Sequence, residues 1–160
     1  MSCRSSGRSP LPSMTRFLAI DFGERRIGLA VSAAGDLSLP LETLLRRSDR
    51  EAVADILAAA AQEEIGHFVV GEPIGIDGTR GPSARRAQRF AALLERASGL
   101  PVSLHPETLT TVAARERLRA AGLDPRRAPE RLDAVAAQVL LEDFLSHRCV
   151  TDRRLGQEEG

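Results

Sequence analysis

The sequence predicts an α/β fold: a five-stranded mixed sheet, with three strands in an antiparallel meander and two parallel to the first, flanked by helices. Three observations lead there. Short apolar runs of strand length recur at 17–20, 27–31, 67–70 and 102–104, with a further strand inside 37–45. The first three segments are separated only by polar turns, whereas the later two alternate with stretches of helical periodicity. The chain is 160 residues long, 42% hydrophobic and 28% charged, which suits one domain able to bury its own core.

Taken in order, Phe17-Leu18-Ala19-Ile20 is a buried strand, Gly23-Glu24-Arg25-Arg26 a polar turn, and Ile27-Gly28-Leu29-Ala30-Val31 the returning strand of a hairpin. A Gly35-Asp36 turn introduces the third strand. Asp49 is expected to cap a helix whose apolar stripe is Val53, Ile56, Leu57, Ala60 and Ala61, ended by Gly66. His67-Phe68-Val69-Val70 is a fourth strand. A long loop from Gly71 to Gly81 follows, and Pro82 opens a second helix with Ala87, Phe90, Ala91 and Leu94 inward. Gly99 and Pro101 end that helix before the fifth strand, Val102-Ser103-Leu104. Thr110 or Thr111 caps a helix running to Gly122, and Pro129 starts a last long helix through Phe144. The Ser-, Pro- and Gly-rich residues 1–15 read as a disordered extension, 16–148 as the core domain, and 149–160 as a polar tail.

Several classes are excluded. The two cysteines, Cys3 and Cys149, make neither a disulfide framework nor a zinc motif, and fit a reducing compartment. No apolar run is long enough for a membrane span, and the N-terminus lacks the apolar core of a signal peptide, so a cytoplasmic protein without membrane association is expected. Net charge is zero. Lys, Asn, Trp and Tyr are absent, so every basic side chain is Arg, which grips phosphate bidentately. Without Lys, no Walker A loop can form.

In open α/β sheets the binding crevice lies beyond the carboxyl ends of the parallel strands. Asp21 ends the first strand, Glu107 lies just past the fifth, and Asp133 sits near the start of the last helix beside Ala134, Ala136 and Ala137. Each has a plain structural role open to it: Asp21 in the hairpin turn, Glu107 at a helix entry, Asp133 near a helix N-terminus. Converging, they would repel unless a hard cation such as Mg²⁺ or Mn²⁺ joined them. Arg25 and Arg26 in the hairpin turn, Arg80 in the glycine-rich loop, and Arg85 and Arg89 on the second helix, with Arg96 on the same face and Arg86 beside it, are candidate phosphate contacts. Thr110 and Thr111, next to Glu107, complete the expected substrate-binding set. His105 shares strand parity with Glu107 and is a weaker site candidate.

Asp21-Phe22-Gly23-Glu24-Arg25-Arg26-Ile27-Gly28-Leu29-Ala30-Val31-Ser32 resembles the opening hairpin of the YqgF/RuvX family. Val69-Val70-Gly71-Glu72-Pro73, Asp77-Gly78-Thr79, Gly81-Pro82, Glu107-Thr108-Leu109-Thr110-Thr111 and Leu132-Asp133-Ala134-Val135-Ala136-Ala137 agree in order, so the resemblance covers 16–146. It implies an RNase H-like fold, an acidic metal-binding triad of Asp21, Glu107 and Asp133, and phosphodiester hydrolysis leaving 5′-phosphate and 3′-hydroxyl ends. Where the family usually has Asp-Glu-Arg, this chain has Pro106-Glu107-Thr108. The implied substrates are the 16S rRNA precursor, in ribosome biogenesis, or four-way DNA in recombination and repair, cleaved by a monomer or a homodimer. Readings of other classes are a non-catalytic nucleic-acid-binding module and an ATP-binding actin-like domain; the latter needs two such domains, and this chain has room for one.

Overall fold

The computed structural model describes residues 15–33, 37–107 and 110–158, with side chains to residue 148. The expected disordered extension therefore lies almost wholly outside the described residues, as do the Gly35-Asp36 turn, Thr108 and Leu109. Strands β1 (Phe17–Phe22), β2 (Arg26–Ser32), β3 (Ser38–Leu45), β4 (His67–Pro73) and β5 (Val102–Glu107) form one sheet in the order β3-β2-β1-β4-β5. The β1–β2 and β2–β3 pairs are antiparallel and the β1–β4 and β4–β5 pairs parallel, which is the predicted mixed sheet.

Period-two alternation divides the sheet into two cores. Leu18, Ile20, Phe22, Ile27, Leu29, Val31, Phe68 and Val70 face α1 (Asp49–Gln62) and α2 (Pro82–Ser98). Phe17, Ala19, Ala30 and Val69 face α4 (Pro129–Glu158), against Ala137, Leu140, Leu141 and Leu145. Ala19 and Ala30 are small, so α4 settles close to β1 and β2. The remaining helix, α3 (Thr110–Ala120), lies against α4.

The structure corrects three sequence expectations. Ser48, not Asp49, caps α1: its hydroxyl accepts from the Glu51 N–H, while Asp49 is the first helical residue and accepts from Arg46 at 2.8 Å. Strand β5 reaches Glu107, past Pro106, which is tolerated because β5 is an edge strand. Helix α4 continues to Glu158 rather than ending at Phe144, because no proline interrupts the chain after Pro129.

Candidate functional site

Asp21 is the penultimate residue of β1, and its odd position directs it to the α4 face. Its antiparallel partner is Gly28 on β2. On the other side, one step beyond the Ile20–Val70 pair, lies Gly71 on β4. These two glycines make the site. A Cβ at Gly28 would stand 2.0 Å from the Asp133 carbonyl oxygen and 2.9 Å from the Ala134 nitrogen, so the main chain of α4 rests directly on the strand. A Cβ at Gly71 would meet the Glu107 Oε2 at 2.9 Å, so the Glu107 side chain leans over bare backbone towards Asp21. A glycine inside a strand pattern signals such a close approach, and both were readable in the sequence.

The three carboxylates are held differently. Glu107 Oε1 accepts from the Thr110 hydroxyl at 2.9 Å. Asp133 Oδ2 accepts from Arg26 Nε at 2.6 Å. Asp21 lies within hydrogen-bonding reach of Glu107. Its carboxyl is pushed well above the usual carboxylate range, first by burial, then by the Glu107 hydrogen bond and charge, and then by the charge of Asp133. The site therefore carries negative charge that its own residues leave partly uncompensated. An all-oxygen donor set of this kind fits a hard divalent cation.

Around it, the expected substrate-binding residues separate into two groups. Arg25, Arg85, Arg89 and Thr111 are exposed, and Arg85, Arg89 and Arg96 share a face of α2. Arg26, Arg80 and Thr110 have protein partners. Arg26 holds Asp133, the buried Thr110 holds Glu107, and Arg80 Nε pairs with Glu72 Oε1 at 3.2 Å. Arg86 turns towards the hairpin and pairs with Glu24 at 2.9 Å, drawing that carboxyl below its ordinary range.

Sequence reading did not reach Gln88 or the partners of Glu72. Glu72 is 6% exposed and points to the α2 side of the sheet, opposite Asp21, where it accepts from Gln88 Nε2 at 2.5 Å as well as from Arg80. It anchors the glycine-rich loop, whose tip is closed by Asp77 accepting from the Thr79 hydroxyl at 2.7 Å and leaves Ile76 exposed. The even position of Glu72 beside Phe68 and Val70 was the available signal. His105 does share the Glu107 face, but its Nε2 meets Asp143 Oδ2 at 2.6 Å rather than the carboxylate site. Among the described residues, no helix is long and apolar enough to cross a membrane.

Comparisons with known proteins bear on the family and the fold. A family profile described as "RuvX: Holliday junction resolvase" matches residues 15–147. A Chloroflexus aurantiacus protein is 41% identical over 132 residues, covering 82% of this chain and 86% of its own, and is named "Putative pre-16S rRNA nuclease". An Anaeromyxobacter dehalogenans protein of the same name is 43% identical over 136 residues, covering 83% and 98%. Among solved structures, T. thermophilus RuvC in complex with a Holliday junction substrate superposes with a TM-score of 0.56 at 18% identity, covering 86% of this chain and 97% of that one. The fowlpox virus Holliday junction resolvase gives 0.54 at 10% identity, covering 83% and 99%. At such identities these two likenesses speak to the RNase H-like fold alone. The sequence matches speak to kinship: the chain belongs to the RuvX family.

Proposed function

We propose that this protein is a metal-dependent endonuclease that hydrolyses phosphodiester bonds at the 5′ end of the 16S rRNA precursor, with Asp21, Glu107 and Asp133 as its metal-binding carboxylates. The observation that carries this reading is the pair of bare glycines, Gly28 and Gly71, flanking Asp21: they bring α4 and Glu107 onto it and crowd acidic side chains that a cation would reconcile. Relatives at 41% and 43% identity, named for pre-16S rRNA, support the substrate. The ion is Mg²⁺ or Mn²⁺, and the protein works in the cytoplasm through the domain formed by 16–148.

When bound, such an ion supplies Lewis-acid polarisation of the phosphate and an activated water. The residues of the chain do the rest. Thr110 orients Glu107, and Arg26 occupies Asp133 until an ion takes its place. The exposed Arg25, Arg85, Arg89 and Thr111 are the side chains left to grip the phosphate backbone. With zero net charge on the chain, this grip is local, and binding weakens steeply with salt. Resolution of four-way DNA is the second reading, favoured by the description of the matching family profile.

The experiment offers a 5′-extended 16S rRNA fragment and a four-way DNA junction to the protein in Mn²⁺ or Mg²⁺. Cleavage of the RNA near the mature 5′ end, with the junction left whole, is expected. Cleavage of the junction alone replaces the first substrate with the second, and cleavage of neither removes the enzymatic reading.

A further inference from the structure

We infer that His105, Asp143 and His147 form a second metal site, for a nitrogen-preferring transition ion such as Zn²⁺, which clips helix α4 to the edge strand β5. One donor atom from each of the three residues lies within 4.8 Å of the others. Asp143 and His147 are four residues apart on α4 and so share a helix face. Facing them from β5 is His105, whose side chain is 11% exposed and whose Nε2 is 2.6 Å from Asp143 Oδ2. His147 Nδ1 is 3.6 Å from Asp143 Oδ1, and the two imidazole rings are 5.4 Å apart between centroids.

Two donors on one tetrahedral zinc at about 2.0–2.1 Å stand roughly 3.3 Å apart, so the set closes when the exposed His147 turns inward and the 2.6 Å His105–Asp143 contact opens to admit the ion. His105 is already fixed: it packs edge-on against Phe144 at 5.7 Å. His147 Nδ1 also lies 2.8 Å from the Asp143 carbonyl oxygen, a contact that the turn onto the ion gives up. A shared cation accounts for all three residues.

Nitrogen donors separate this site chemically from the all-oxygen carboxylate site, since imidazole suits Zn²⁺ while Mg²⁺ prefers oxygen. Its place gives it a consequence. His105 is two residues before Glu107 on the same strand and face, so an ion here stiffens the edge strand that carries Glu107.

The test uses the full-length, untagged chain, stripped with EDTA and titrated with ZnCl₂ under calorimetry and thermal melting. One equivalent is expected to bind, raising Tm by roughly 5–10 °C at a hundredfold excess over Kd. His147→Ala, at an exposed position that folding tolerates, is expected to weaken binding at least tenfold and abolish the shift. Asp21→Asn and Cys149→Ser are expected to keep both. Co²⁺ in place of Zn²⁺ should give the visible absorption of a four-coordinate ion in the wild type and not in His147→Ala. Absence of Zn²⁺ binding overturns the inference, as does binding unchanged by His147→Ala. Loss in Asp21→Asn would move the ion to the carboxylates, and loss in Cys149→Ser would move it to a thiol; either outcome overturns it too. No nucleic acid enters the assay, so its failure leaves the nuclease reading untouched.

Discussion

In metal-free protein, Asp21→Asn should stabilise the fold while removing a metal ligand. Asp21 and Glu107 share a hydrogen bond, so either a proton sits between them or two charges oppose each other. Two full charges about 4 Å apart repel by roughly 4 kcal/mol at an effective dielectric near 20. Asp21 keeps some solvent contact and can remain protonated, which reduces the penalty at neutral pH to about 1–3 kcal/mol. The amide of Asp21→Asn has the same shape, carries no charge and donates an N–H to Glu107. For a chain of this size that is a rise in Tm of roughly 3–10 °C. The sign with pH follows from the raised carboxyl. Below about pH 4 the group is protonated in both folded and unfolded chains and costs nothing. As pH rises, the unfolded chain ionises first, so wild-type stability falls until the folded carboxyl ionises as well, and is level thereafter. The advantage of the variant should therefore be absent near pH 4 and grow towards neutrality. Thermal melting of both proteins in EDTA, from about pH 4 to 8, measures it. A variant that melts at or below wild type at neutral pH, or a difference that ignores pH, refutes the reasoning.

The same raised carboxyl predicts that Mn²⁺ binding in acidic buffer expels a proton, since ligands bind deprotonated. Calorimetry in buffers of different ionisation heat should detect the release in wild type and lose it in Asp21→Asn. Arg26 competes with any cation for Asp133, so Arg26→Ala should tighten Mn²⁺ binding about two- to fivefold, corresponding to a half-exposed ion pair of about 0.5–1 kcal/mol. Weaker binding in that calorimetric titration would make Arg26 a support for the site rather than a competitor. Gly28→Ala drives a Cβ into the main chain of α4, which cannot yield as a side-chain tip does, and should cost about 2–4 kcal/mol in urea unfolding. A loss below about 0.5 kcal/mol would mean that α4 does not rest on β2 as described.

Much of this was legible because it is local. The apolar runs, the polar hairpin turn and the helix-opening prolines fixed the order of the elements, and the alternation of later strands with helices fixed their parallel sense. Asp21 could be placed at a strand end for the same reason. The partners of the side chains were not legible, because they come from distant segments. Arg26 reads as a free turn cation until α4, 107 positions along, presents Asp133. Glu72 shows no partner in the sequence, until the register of β4 turns it to the face opposite Asp21, against Gln88. His105 reads as a neighbour of Glu107 until Asp143 is brought to it from α4. The end of α4 was misjudged because polar composition was read as loss of structure, although nothing in the segment after Phe144 breaks a helix. Asp49 was read as the cap because Asp is a good capping residue, and only the backbone shows that Ser48 holds the position before the helix.

The most direct test is single-turnover cleavage of a 5′-extended 16S rRNA fragment in Mn²⁺ by wild type and by Asp21→Asn, Glu107→Gln and Asp133→Asn, each first shown to be folded by melting. The account predicts cleavage near the mature 5′ end by wild type, and a loss of at least about 10²-fold in every variant, the scale seen when a group stabilising the transition state is removed. Full activity in any one of the three, or equal residual cleavage in all four proteins, would contradict it.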